Sequence, residues 1–148
     1  MRNLLLFLHL PAATFWMGGM AFMLLALRPA LHPRQEPPLR LPLVVEVLRR
    51  FFLVVICSIA ALLATGVPLL VQVRGGSAPR GGRGRGGRGV LMMLVLGHIF
   101  FVPWRRLQRA VAAQDWPAGG RAMNQIALLV KVNLALGWLA IAAVLLWR

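Results

Sequence analysis

A chain of 148 residues has room for one domain, and at 59% hydrophobic residues with a mean hydropathy of +0.76 it is too apolar for a core wrapped in a polar surface. Most of its surface must therefore face lipid. Seventeen basic residues, of which only Lys131 is lysine, stand against Glu36, Glu46 and Asp115, for a net charge of +14. They fall between the apolar runs or at their ends, where phospholipid head groups wait, so the membrane surface is the expected partner and nucleic acid is not.

The single cysteine, Cys57, excludes an intramolecular disulfide and a cysteine-cluster metal site, and within an apolar run it is expected to be a small packed residue. Met1-Arg2 followed by apolar residues imitates a secretory signal. The run continues to Leu27, however, past the roughly 7–15 residues of a signal's apolar region, and reads as a span.

A hydrocarbon core about 30 Å thick needs roughly 20 helical residues, because lipid offers no partner to unpaired backbone amides. Four segments qualify, which predicts an all-α integral membrane bundle of four transmembrane helices in one domain. The first runs over 3–27 and stops at Arg28-Pro29. The second has its apolar part over 51–73, after a helical entry turn from Leu43 to Arg50. The third, 90–107, is short and carries Pro103, beyond which Arg105, Arg106 and Arg109 can continue the helix and snorkel to the interface. The fourth spans 127–147, preceded by an amphipathic lead-in from Arg121 to Gln125, and its Lys131 can snorkel.

The connections differ in kind. The first, from Arg28 to Pro42, is proline-rich and predicted to be irregular. The second, 74–89, reads RGGSAPRGGRGRGGRG and predicts a flexible basic linker touching anionic lipid, since it lacks the aromatic residues on which an RGG-type segment stacks bases. Gln114 to Gly120 is the third turn. Four spans put both termini on one face with the second connection. That face holds seven basic residues and the other holds ten, so the positive-inside rule predicts periplasmic termini in a bacterial inner membrane.

On a wheel at 100° per residue, His9, Trp16, Met20 and Met23 fall within about 60° of one another, with Ala12, Ala13 and Gly19 beside them. The series Met17, Met20, Met23 is packing filler at helical spacing, or a thioether set suited to a soft ion such as Cu(I). Ionisable groups inside a membrane are costly and tend to face the bundle interior. His32 lies in a connection and carries little information. His9 lies about 9 Å into the first span and His98 about 12 Å into the third, both entered from the same face. Matching depth is what a bis-histidine haem or a shared metal site requires, and the bland alternative is one interhelical hydrogen bond each.

Trp16 and Trp138 are expected to pack, Trp104 and Trp147 to lie in an aromatic belt. Ser58, Thr65 and Asn133 are the uncharged polar residues at depth. No phosphate loop, Ser/His/Asp set or carboxylate relay can be assembled from the spans, so no catalytic residue is assigned and a non-enzymatic role is expected.

The run LHLPAATFWMGGM, Leu8 to Met20, resembles the first-helix pattern of CopD-type copper-resistance membrane proteins, a histidine followed by a tryptophan and paired small residues. KVNLALGWLAIAAVLL, Lys131 to Leu146, resembles the last helix of that family, and Arg49-Arg50-Phe51 the entry to its second. The matching positions of the pattern are His9, Trp16, Gly18 and Gly19; the glycine-arginine linker and the scarcity of acids depart from it. The resemblance implies a four-helix unit that handles copper, with HemJ-type haem-pathway proteins as distant architectural relatives and a periplasmic copper-binding protein as a partner. The ligands expected for copper are His9, Met20 and Met23, with His98 as a further candidate. The alternatives are a b-type haem held by His9 and His98, and an assembly subunit with no ligand.

Overall fold

The computed structural model describes residues 2–31, 36–75 and 82–146. Its elements are α1 (Arg2–Phe22), a π-helical turn (Met23–Leu27), α2 (Arg28–Leu31), α3 (Pro37–Gly75), α4 (Gly82–Phe101), α5 (Pro103–Ala112) and α6 (Trp116–Leu146). No strand occurs among the described residues. Four stretches are long and apolar enough to cross a membrane: Asn3–Leu31, Pro37–Pro68, Gly89–Ala112 and Trp116–Ala143. The protein is an all-α bundle of four membrane-spanning helices. Large apolar side chains such as Phe7, Phe15, Leu25, Leu94, Leu128 and Trp138 point outward, as lipid demands of a helix that is apolar all round.

The helices are longer than their apolar cores. At 39 residues α3 is about 58 Å long, nearly twice a hydrocarbon core, and takes Pro37 and Pro38 in its first turn, where amides have no helical partner anyway. Glu36 accepts the amides of Leu39 and Arg40 at 3.1 and 2.9 Å, so the irregular crossing expected as far as Pro42 ends at Pro37. His32 lies outside the described residues, as do 76–81 of the glycine-arginine segment and Trp147. The rest of that segment is helical, through Gly75 and again from Gly82, because extending a helix from an apolar nucleus costs far less than starting one.

The third turn is tighter than Gln114 to Gly120. Gln114 takes a positive φ of 55°, and the Asp115 carboxylate accepts the Ala118 amide at 3.0 Å as N-cap, so α6 begins at Trp116-Pro117. Pro103 interrupts the third span as its missing N–H requires, and α4 ends at Phe101. The chain resumes as α5, whose buried stripe of Pro103, Trp104, Leu107 and Ala110 lies opposite exposed Arg105, Arg106 and Arg109. Arg105 lies 5.6 Å over the Phe101 ring.

Spans that follow one another pack antiparallel, as do the first and fourth, while the second and fourth, which also touch, run parallel. The first span lies chiefly on α3, where Gly19 meets Phe51, and α6 covers α4 and α5. Phe52 on α3 stacks edge-on against Phe100 and Trp104, at centroid distances of 5.5 and 5.2 Å. Trp104, 4% exposed, is thus a core residue and not part of an interfacial belt. Trp138 and Cys57, both expected to pack, are exposed to the surroundings of the bundle. Phe52, Val55 and Ser58 take the inner stripe of α3, which leaves Cys57 about 100° off it.

The paired glycines separate by function. A methyl group at Gly19 would collide with the Phe51 ring, whereas one at Gly18 meets nothing within 4 Å. Gly19→Ala should therefore cost about 1–3 kcal/mol through overpacking. Gly18→Ala should gain up to about 1 kcal/mol of helix propensity. Thermal unfolding in one detergent decides it, and equal shifts for the two variants would contradict this packing.

Candidate functional site

His9 is half-buried, and its Nδ1 lies 2.8 Å from the Thr65 hydroxyl on α3. Thr65 places its own hydroxyl 2.6 Å from the Ala61 carbonyl, which can only accept. The single hydroxyl proton goes there, so His9 donates from Nδ1 and keeps its lone pair on Nε2. Gly66 makes room for the ring: a methyl there would stand 3.3 Å from His9 Cε1. The first histidine is therefore bound to the second span through one interhelical hydrogen bond.

His98 is elsewhere. Met92, Leu96 and Ile99 form the inner stripe of α4, and His98, one residue before Ile99, is exposed on the outer face with no side-chain hydrogen bond among the described residues. The expectation that both imidazoles face the bundle interior fails for His98. A bis-histidine pair within one chain is not formed, and the residues do not fit an intrachain b-type haem.

The proposed set of His9, Met20 and Met23 also fails as one centre. Eleven residues separate His9 from Met20, about 16 Å of helix, too far for both to bind one ion. Among the described residues no group of three or more His, Cys, Asp or Glu side chains is placed to hold a metal.

The methionines have a different company. Met20 is 1% exposed, and its sulfur accepts from Asn133 Nδ2 at 3.6 Å, a contact between the first and fourth spans. One turn further along each helix, Met17 packs on Gly137: a methyl group at Gly137 would stand 3.1 Å from Met17 Sδ and 3.2 Å from Met92 Cε. Met92 arrives from the third span. Met17 and Met92 thus meet at Gly137, one turn of α6 from the contact of Met20 with Asn133, where the first, third and fourth spans come together. Met23, though buried, lies a turn away at the start of the π-helical turn.

Polarity is stored at the same level. Asn133 is completely buried, and among the described residues its Oδ1 has no hydrogen-bond partner; nor has Nε1 of Trp16, one turn from Met20 on the same stripe. An unpaired amide oxygen in a membrane interior is costly, and such groups in native proteins mark ions, waters or function.

No family model and no solved structure matches the chain. The chain is similar to an uncharacterized protein of Aquifex aeolicus (strain VF5), with 39% identity over 80 residues. The match covers 53% of this chain, and the chain spans 54% of that relative's length.

Of the residues legible in the sequence, Met17, Met20, Met23 and Trp16 do line the inside of the first span. Met92 and the role of Asn133 and Gly137 were missed. The signal was present in antiparallel register: Met20 with Asn133, Met17 with Gly137 and Arg28 with Asn124 keep nearly constant index sums along the first and fourth spans.

The His9 contact yields its own test. Thr65→Val leaves Nδ1–H unpaired and should cost about 0.5–2 kcal/mol, in the range of interhelical hydrogen bonds in membranes. Thr65→Ser keeps the hydroxyl and should recover most of it. Unfolding midpoints in detergent read the difference, and a neutral Thr65→Val would mean that the bond contributes nothing.

Proposed function

We propose that this chain is a CopD-like protein of the bacterial inner membrane that binds Cu(I) within the bundle, as a carrier or transfer step in copper handling. The observation supporting the reading is that Met20 on Asn133 and, one turn along α6, Met17 and Met92 at Gly137 bring three methionines together, with Asn133 Oδ1 unpartnered among the described residues. Thioethers are soft and neutral, which suits Cu(I) over harder ions. They also leave the ion its full charge, so binding stays weak enough for onward transfer. Asn133 Oδ1 would direct the negative end of its dipole at the cation. Ten basic residues on the face of the first and third connections against seven on the other support periplasmic termini and delivery from a periplasmic copper-binding protein.

A Cu(I) titration of the detergent-purified chain against a chromophoric chelator tests the reading, with an absorption spectrum on the same sample. One copper per chain and no Soret band are expected. Absence of copper binding, or a Soret band from co-purified haem, would contradict it.

A further inference from the structure

We propose that the groove between the first, second and fourth spans binds one anionic phospholipid, its phosphate at Arg28 and an acyl chain along the apolar part. This site is separate from the methionine cluster. At its mouth, on the face of the first and third connections, the groove is lined by Arg28, Arg40 and Asn124 over a floor of Met23, Leu41 and Met123, and is open to the surroundings of the bundle. Deeper in the bundle it continues past Leu48, Phe51, Ile126 and Val130 with no further charged side chain besides Arg28.

Three observations give the occupant its chemistry. Arg28 is half-buried, and the partner its guanidinium has is a neutral one, Asn124 Oδ1 at 2.7 Å. Among the described residues no acidic side chain lines either part of the groove: Glu46 is committed to Arg49 and Arg50, Asp115 to its helix cap, and Glu36 is exposed just before α3. A guanidinium facing a membrane groove without a counter-charge is costly unless an anion comes to it. The apolar continuation then selects among anions, because a free phosphate leaves it empty while a lipid fills it. Basic pockets between membrane helices take anionic head groups for the same reason.

The backbone is shaped to this end. The π-helical turn closes with the Arg28 amide on the Met23 carbonyl, one residue more than an α-helical turn. That insertion resets the register so that both Met23 and Arg28 line the groove, and π turns frequently mark functional sites.

Native mass spectrometry of the full chain, exchanged into detergent with added phosphatidylglycerol or phosphatidylcholine of the same acyl chains, reads the site. One phosphatidylglycerol should be retained in preference to phosphatidylcholine. Arg28→Gln should weaken retention about fivefold, the effect expected of one basic residue near a charged membrane surface. Arg109→Gln removes the same charge from exposed α5 outside the groove and should leave retention unchanged. Gly120→Leu keeps both arginines but fills the mouth, where a methyl would meet nothing within 4 Å, and should likewise weaken preferential retention. It replaces a helix-weakening residue, so folding does not confound it. Equal retention of the two lipids, equal losses for Arg28→Gln and Arg109→Gln, full retention by Gly120→Leu, or displacement by inorganic phosphate at equal concentration would each overturn the proposal.

Discussion

Replacing Met17, Met20 and Met92 together by leucine should abolish stoichiometric Cu(I) binding, and each single replacement should weaken it by about a hundredfold. Even residues behind metal ligands are typically worth about 10–100-fold in affinity, and a ligand itself is worth at least as much. Leucine nearly conserves volume, so each exchange should cost under about 1.5 kcal/mol of stability. His9→Ala and His98→Ala should leave the affinity unchanged, since His9 is tied to Thr65 some 16 Å along the helix from Met20 and His98 faces outward. Gly137→Ala tests the geometry without touching a ligand. Its methyl intrudes on Met17 and Met92 and should weaken binding while leaving Met20 on Asn133. Competition titration of the parent chain and these seven variants reads all of this. A strong His9→Ala effect with an indifferent Met17→Leu would shift the site back to the histidine.

The largest loss of stability is expected from Leu107→Ala. Leu107 is completely buried on α5, against Gly119 of α6. A Leu→Ala change at such a site costs about 2–5 kcal/mol, part from transfer out of water and part from the cavity. Ile99, equally buried but deeper in the third span, should respond less. Within the hydrocarbon layer lipid is as apolar as the core, so Ile99→Ala loses packing but little transfer energy. Reversible unfolding in bicelles gives both values. Equal losses would place both residues in the same solvent and contradict a membrane boundary near α5.

The four spans were legible because twenty apolar residues have few other uses, and the inner stripe of the first span because helical period and burial coincide. Helix ends were not. Pro37, Pro38, Gly82 and Trp116 carry no apolar signal, yet interfacial chain continues a helix once its core exists. Depth alone misled over His98: two histidines can match in depth while pointing oppositely, and azimuth is set by Met92, Leu96 and Ile99 around it. Grouping His9 with Met20 and Met23 respected the wheel and neglected the rise along the axis. Met92 and Asn133 became visible as partners only once antiparallel register paired helices distant in sequence.

Copper K-edge X-ray absorption of the Cu(I)-loaded chain tests the central claim most directly. A first shell of sulfur scatterers, lost in the Met17, Met20 and Met92 leucine variant, is the predicted result. A nitrogen shell with the outer scattering of imidazole, unchanged in that variant, would contradict it.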